Sequence, residues 1–364
     1  MGKIQGTSGD QAMKSKEARS SFLVPRFVGR SEGDMVARGK SGQLELFRAT
    51  LTPPAKLQVL AMLALSDPKQ LDRAANARAA DIARTMGYEP TESGQLPGHA
   101  FEAIEETGLK LRRKSFDVFV REPSGKTRDG RRKYSAGIVN LSILQEFGFL
   151  YEDDEGQPIN LDETPKNDLI KYESVEGPPL YAIPMTDAKG NFLKNKDGSI
   201  RRRRANGVIW RWASRFAELT RDKETAWIFY SDAIKILRRY LHHPVAFNLM
   251  FSTLFWKGDV LIEMGHEKLI AHLDILGKDR KQVDNAIDAA FKAAFDEGII
   301  DTPVHIRPAG YYKPTKKTGK ERRKGKVYQW RRAARWRGGK VLPMVQADGQ
   351  LEGYNEGKTE KPKE

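Results

Sequence analysis

The residues in this chain whose types could do covalent chemistry are its six histidines, a glycine-bearing run at 33–41 and a tyrosine pair at 311–312, and each lacks a partner that the chemistry needs. Gly33-Asp34-Met35-Val36-Ala37-Arg38-Gly39-Lys40-Ser41 has the composition of a phosphate-cradling loop. However, it has one residue too many between its glycines, and no buried strand precedes it. His266-Glu267 starts like the helix of a zinc hydrolase, but Ile270 stands where the second histidine ligand belongs. His242-His243 lacks the His-x-His spacing of a nickase metal site, and Tyr311-Tyr312 alone cannot supply that site. No histidine is followed three residues later by arginine, the element a tyrosine recombinase requires. The absence of cysteine removes disulfides, thiolate nucleophiles and Cys-based zinc sites together. A catalytic carboxylate pair cannot be recognised among 48 acidic residues. The chain therefore reads as a non-enzyme, with no metal and no cofactor expected.

Charge points elsewhere. Lys and Arg number 63 against 48 Asp and Glu, a net charge of +15 that favours a polyanionic partner. An anionic membrane would need a basic amphipathic helix at a terminus, and neither terminus has one, so nucleic acid is the expected partner. No apolar run approaches the roughly 20 residues needed to span a bilayer. The start, MGKIQGTSGDQAMKSKEARSS, has no apolar signal region, so a reducing cytoplasm is the expected location.

The candidate DNA-binding residues fall in three places. Lys278, Arg280, Lys281 and Asn285 lie at the start of a strongly marked helix over 279–295. Asp279 and Gln282 fit a capping box there, and Val283, Ala286, Ile287, Ala290, Phe291, Ala294 and Phe295 fall on one face. In helix-turn-helix folds such an end enters the major groove, where Arg or Lys pairs with guanine and Asn with adenine. The alternative is an ordinary solvated face, and Asp284 and Asp288 count in its favour. Lys126, Arg128, Arg131, Arg132 and Lys133 fill one basic loop, and Lys316, Lys317, Lys320, Arg322, Arg323, Lys324 and Lys326 fill a second. Such loops give affinity through phosphates without choosing sequence, although charge runs are more often merely solvated. Arg201–Arg204 has no such placement and reads as a solvated loop, with a phosphate contact as the alternative.

The elements behind these residues follow a repeated order. Lys56–Leu65, Asn76–Met86 and Gly98–Leu111 read as helices, the second stopped by Gly87. Phe116, Val118 and Val120 then alternate as a strand does, and Tyr134–Leu150 returns as more strand behind the basic stretch 123–132. Residues 151–205 look like an insertion, and strand-like segments resume at Val208–Trp212 and Trp227–Tyr230. Helices are expected again from His243-Pro244 to Trp256, over Glu267–Leu273 and over 279–295 with Gly298 as its stop, followed by a hairpin from Val304–Arg307 to Val327–Trp330. Three helices and a basic hairpin thus occur twice. The expected fold is α+β: two tandem winged-helix domains at 53–205 (with the insertion) and 206–340, a basic disordered arm at 1–52 and a disordered polar tail at 341–364.

Gln43-Leu44-Glu45-Leu46-Phe47 is the sharpest short signal, because bulky apolar residues stand in an arm too polar to bury them. The pattern is similar to the QLxLF peptide by which bacterial replication proteins dock on the sliding clamp, and Gln43, Leu44, Leu46 and Phe47 would be its contacts. The alternative is that these residues begin the first helix or tuck against the domain. A clamp-like peptide ahead of two winged helices resembles the TrfA-type initiators of broad-host-range plasmids, over roughly 43–335. The likeness is strongest at 43–47, at Gly137–Leu150 and in the helix over 280–300. The long 151–205 segment and the basic, Trp-containing 313–340 depart from that pattern. The resemblance implies binding to repeated origin sites, opening of an AT-rich duplex with contact to its single strands, and recruitment of the host clamp, replicative helicase and host initiator. It also implies a bacterial, plasmid-associated location and a chain able to form a homodimer. A winged-helix transcriptional regulator or a partition-type DNA-binding protein shares the fold and stays open as the alternative.

Overall fold

The computed structural model describes residues 15–29, 36–38, 44–46, 51–92, 96–126, 132–151, 182–185, 187, 189–221, 226–255, 261–273, 275, 279–308 and 326–336. The architecture is mixed helix and sheet, in chain order as follows. Strand β1 (Ser21–Pro25) precedes a small hairpin of β2 (Val36–Arg38) and β3 (Leu44–Leu46). Helix α1 (Pro53–Leu65) starts on two prolines, which occupy a first turn without losing a helical hydrogen bond. It is buried on every side from Ala55 to Leu65, as a helix apolar all round must be. Strand β4 (Ala75–Arg78), α2 (Ala79–Thr85) and α3 (Gly98–Arg113) follow. A two-stranded ribbon of β5 (Ser115–Lys126) and β6 (Arg132–Ser142) leads into β7 (Leu144–Leu150). After β8 (Ala182–Pro184) and β9 (Arg202–Arg204), strand β10 (Gly207–Trp212) enters the middle of an antiparallel sheet ordered β4-β10-β7. Gly108 sets how closely α3 lies on this sheet: a Cβ there would come within 2.1 Å of the buried Phe147 ring.

Helix α4 (Ser214–Arg221), β11 (Ala226–Tyr230) and α5 (Ser231–Arg239) connect to a second set. It comprises α6 (Pro244–Leu254), β12 (Ile262–Gly265), α7 (His266–His272), α8 (Arg280–Asp296), β13 (His305–Pro308) and β14 (Lys326–Trp330), with the sheet ordered β12-β14-β13. With the β5-β6 ribbon and the β8-β9 pair set aside, the order helix, strand, helix, helix, strand, strand, with the last strand central, occurs twice. The two sets and their connection are in contact. Phe229 of β11 packs on Phe251 of α6 and on Phe255 just after it, and the Lys56 ammonium of α1 lies 4.7 Å from the Phe251 ring centroid. Tyr240 donates to Glu297 at 2.9 Å and Arg239 pairs with the same carboxylate.

Several expectations need correction. The arm is not free throughout: β1 pairs antiparallel with β11, from Ser21↔Tyr230 to Pro25↔Ala226, and buries Phe22 and Val24. Residues 76–86 are not one helix, because Ala75–Arg78 is extended and pairs with β10 before α2 begins. The hairpin carrying the first basic loop is a separate ribbon; β7 and the distant β10 complete the first three-stranded sheet, so the first set runs to Trp212 rather than ending at 205. Phe295, expected on the buried stripe of α8, is 41% exposed. Asp279 does cap α8, accepting from the Lys281 N–H at 3.3 Å. The 341–364 tail lies outside the described residues.

Candidate nucleic-acid interface

Helix α8 divides by face as its sequence requires. Val283, Ile287, Ala290, Phe291 and Ala294 are buried, and Phe291 stacks on Tyr328 at 5.8 Å while meeting Trp330 edge-on at 5.1 Å. This fixes the helix against β14. On the opposite side Lys281, Asn285 and Asp288 are exposed within the first three turns. Arg280 is the first residue of α8, though its side chain, like Lys278 as a whole, lies outside the described residues.

Asp284, counted above against phosphate binding, faces a lysine and a histidine of its own. Its Oδ2 accepts from Lys326 Nζ at 3.0 Å, and its Oδ1 lies 3.7 Å from His266 Nε2. His266 Nδ1 is 3.1 Å from the Tyr328 hydroxyl, so one chain of contacts ties α7, α8 and β14 together. Two consequences follow. The Asp284 charge is locally compensated, and Lys326 is held at the root of the basic loop rather than left free for phosphate. Next to it Glu263 of β12 accepts from Arg307 at 2.6 Å and from Gln329 at 2.7 Å, and these bonds, Arg307 first, hold its carboxyl below the usual range. Lys316, Lys317, Lys320, Arg322, Arg323 and Lys324 lie outside the described residues.

The first set is built differently. The corresponding third helix, α3, has no Lys or Arg in its first half, exposes His99 in its first turn with Glu102 and Glu106 further along, and keeps Lys110, Arg112 and Arg113 at its end, where the helix dipole favours cations. A helix start without Lys or Arg is less suited than that of α8 to the negative groove of DNA. Lys126 pairs in register with Arg132, and Lys133 with Gly125, at the far end of the β5-β6 ribbon. Their side chains, and Arg128 and Arg131 entirely, lie outside the described residues.

Leu44–Leu46 of the clamp-like peptide is β3, in register with Val36–Arg38, with side chains outside the described residues; Gln43 and Phe47 lie outside them altogether. Of the loop-like run 201–204, Arg202–Arg204 is strand β9. Lys189, Lys194 and Lys196 sit with it on the surface and were not singled out from the sequence. The signal for them was present: Asp187-Ala188-Lys189-Gly190-Asn191 and Asn195-Lys196-Asp197-Gly198-Ser199 are both turn compositions. Among the described residues no group of three His, Asp or Glu side chains is placed to hold a metal ion, and no helix is long and apolar enough to cross a membrane.

No family model matches the sequence, and no curated protein matches it. Among solved structures the chain is similar to RctB domains 2-3, at 12% identity and a TM-score of 0.38, covering 77% of this chain and 82% of that one. It is similar also to the selenomethionine derivative of RctB domains 2 and 3, at 13% identity and a TM-score of 0.37, covering 90% and 94%.

Proposed function

We propose that this chain grips duplex DNA through two tandem winged helices and serves as a plasmid replication initiator of the TrfA type. On this reading it binds directly repeated origin sites, helps to open an adjacent AT-rich stretch, and recruits the host clamp and helicase without catalysis of its own. The observation that carries the DNA reading is α8. It is a capped third helix whose apolar stripe is locked on β14 while Lys281 and Asn285 stay exposed at its start, in a chain of net charge +15. Such a helix start has the chemistry to meet base edges. The second copy of the same element order supports a long or repeated site, and the QLELF peptide supports an initiator over a regulator.

A second reading has an observation of its own. The pairing of Leu44–Leu46 with Val36–Arg38 engages the backbone of the one peptide that separates initiator from regulator, which favours a transcriptional regulator or partition-type DNA-binding protein. Footprinting the chain on its own replicon decides between them. Several regularly spaced protected sites in direct repeat support the initiator, and one palindromic footprint over a promoter supports the regulator.

A further inference from the structure

The connection from β7 to β10 contains a small folded unit whose three passes each bond to the other two. β8 pairs with β9, from Ala182↔Arg204 to Pro184↔Arg202. Between them the chain doubles back twice: the Leu193 N–H donates to the Met185 carbonyl at 2.9 Å, the Arg201 N–H to the Leu193 carbonyl at 2.7 Å, and the Met185 N–H to the Arg201 carbonyl at 2.9 Å. Both reversals share one design. Gly190 N–H donates to the Asp187 carbonyl and Asp187 N–H to that of Asn191; Gly198 N–H donates to the Asn195 carbonyl and Asn195 N–H to that of Ser199. The glycines sit at φ of 84° and 83°, the left-handed region that such a hairpin turn needs at this position.

Backbone hydrogen bonds and turns organise the described residues of this unit. Ala182 is buried, Ile183, Met185, Phe192, Leu193 and Ile200 are half-buried, and most of the remainder is exposed. What it displays is charge. Lys189, Lys194, Lys196, Arg201 and Arg202 are exposed, and among the described residues none of the five has an ion-pair partner. Both carboxylates of the unit are already committed to its turns. Asp187 accepts from the N–H groups of Lys189 and Asn191, and Asp197 from the N–H and hydroxyl of Ser199. Some exposed cations elsewhere are paired, as Lys110 is with Glu106, Arg221 with Asp72 and Arg307 with Glu263. Against Asp187 and Asp197 these five cations leave the unit with a surplus of positive charge, which a polyanion would neutralise.

We propose that residues 182–204 form the wing of the first repeat and that Lys189, Lys194, Lys196, Arg201 and Arg202 bind the phosphate backbone of duplex DNA. The inference rests on the DNA-binding reading and adds a site to it. It assigns to the first repeat a backbone-gripping role, which fits the absence of Lys and Arg from the first half of α3, and leaves base reading to α8.

The test is the salt dependence of duplex binding by the full chain with Lys194, Lys196, Arg201 and Arg202 all changed to Gln. If all four touch phosphate, the slope of log K against log[salt] flattens by about 3.6, and affinity falls alike on every sequence. Lysine acetylation of the wild-type chain, read by mass spectrometry, needs no variant: Lys194 and Lys196 become protected when duplex is added. An unchanged slope in a variant with the wild-type circular dichroism, or equal acetylation with and without DNA, overturns the inference while leaving the DNA reading in place. A wild-type chain that binds no duplex at low salt overturns the DNA reading itself.

Discussion

Trp330 Nε1 donates to Thr253 Oγ1 at 3.1 Å, and the first repeat contains the same relationship, with Trp210 and Trp212 both donating to Ser66 Oγ at 3.3 and 3.0 Å. In each repeat the central strand thus anchors an indole on a hydroxyl at the end of the first helix. Ser66 in turn donates to the Met62 carbonyl at 2.7 Å, so one hydroxyl joins helix and strand. All of these side chains are buried. Thr253→Val keeps the shape but leaves the Trp330 N–H without a partner, at a cost of about 1–3 kcal/mol. Ser66→Ala should cost more, since two indoles lose their acceptor. Urea unfolding is the check: the midpoint should fall with the slope unchanged.

Alkaline stability isolates Tyr328. Burial first, then the nearby Asp284 and Asp288 charges, push its phenol from 10.0 up to about 12. The folded state therefore favours the neutral form. That contribution is fully present below pH 10 and is lost as the pH rises through about 12. Tyr328→Phe cannot titrate, so its urea midpoint should decline less steeply than wild type across this window. Parallel declines would mean that the phenol ionises as freely in the fold as out of it.

How far the sequence reveals this molecule depends on whether a signal is local. The helices over 53–65, 98–113, 244–254 and 280–296 announce themselves through composition, periodicity, prolines at the start or the Asp279 cap, each within a few residues. Strand β4 does not, because Ala75-Asn76-Ala77-Arg78 consists mostly of helix-compatible residues and is extended only because β10, some 130 residues on, pairs with it. For the same reason β1 reads as arm: its partner is the distant β11, with Ser21 opposite Tyr230 and Pro25 opposite Ala226. The exposed start of α8 was legible from its amphipathic pattern. The pairing of Asp284 with Lys326, and the cations gathered at 189–202, depend on chain reversals that composition hints at without fixing.

Base reading by α8 has a specific signature. Replacing Asn285 or Lys281 by Ala should cost about 1–3 kcal/mol on the specific site and much less on random duplex, because contacts to base edges specify while contacts to phosphate do not. The same expectation holds for Arg280 at the first position of the helix. Equal losses on both DNAs, measured by fluorescence anisotropy at one salt concentration, would reduce these residues to phosphate contacts.

The clamp-like peptide can be tested apart from DNA. A peptide spanning Ser41–Thr50 should bind purified bacterial sliding clamp in the micromolar range, near −8 kcal/mol. Burial of a Leu or Phe side chain contributes roughly 1.5–3 kcal/mol, and a few anchors dominate such interfaces. In the whole chain Leu46→Ala with Phe47→Ala should abolish clamp binding and leave duplex affinity unchanged. No binding of the peptide at several hundred micromolar would remove the clamp from the account.

The most direct measurement of the initiator reading is strand opening. The purified chain, added to supercoiled plasmid carrying its own replicon, should protect directly repeated sites and make thymines in an adjacent AT-rich stretch reactive to permanganate. Both signals should weaken together as salt rises, because each depends on phosphate contacts. Protected sites with no permanganate-reactive thymines at any protein concentration would contradict the initiator reading and leave a DNA-binding regulator.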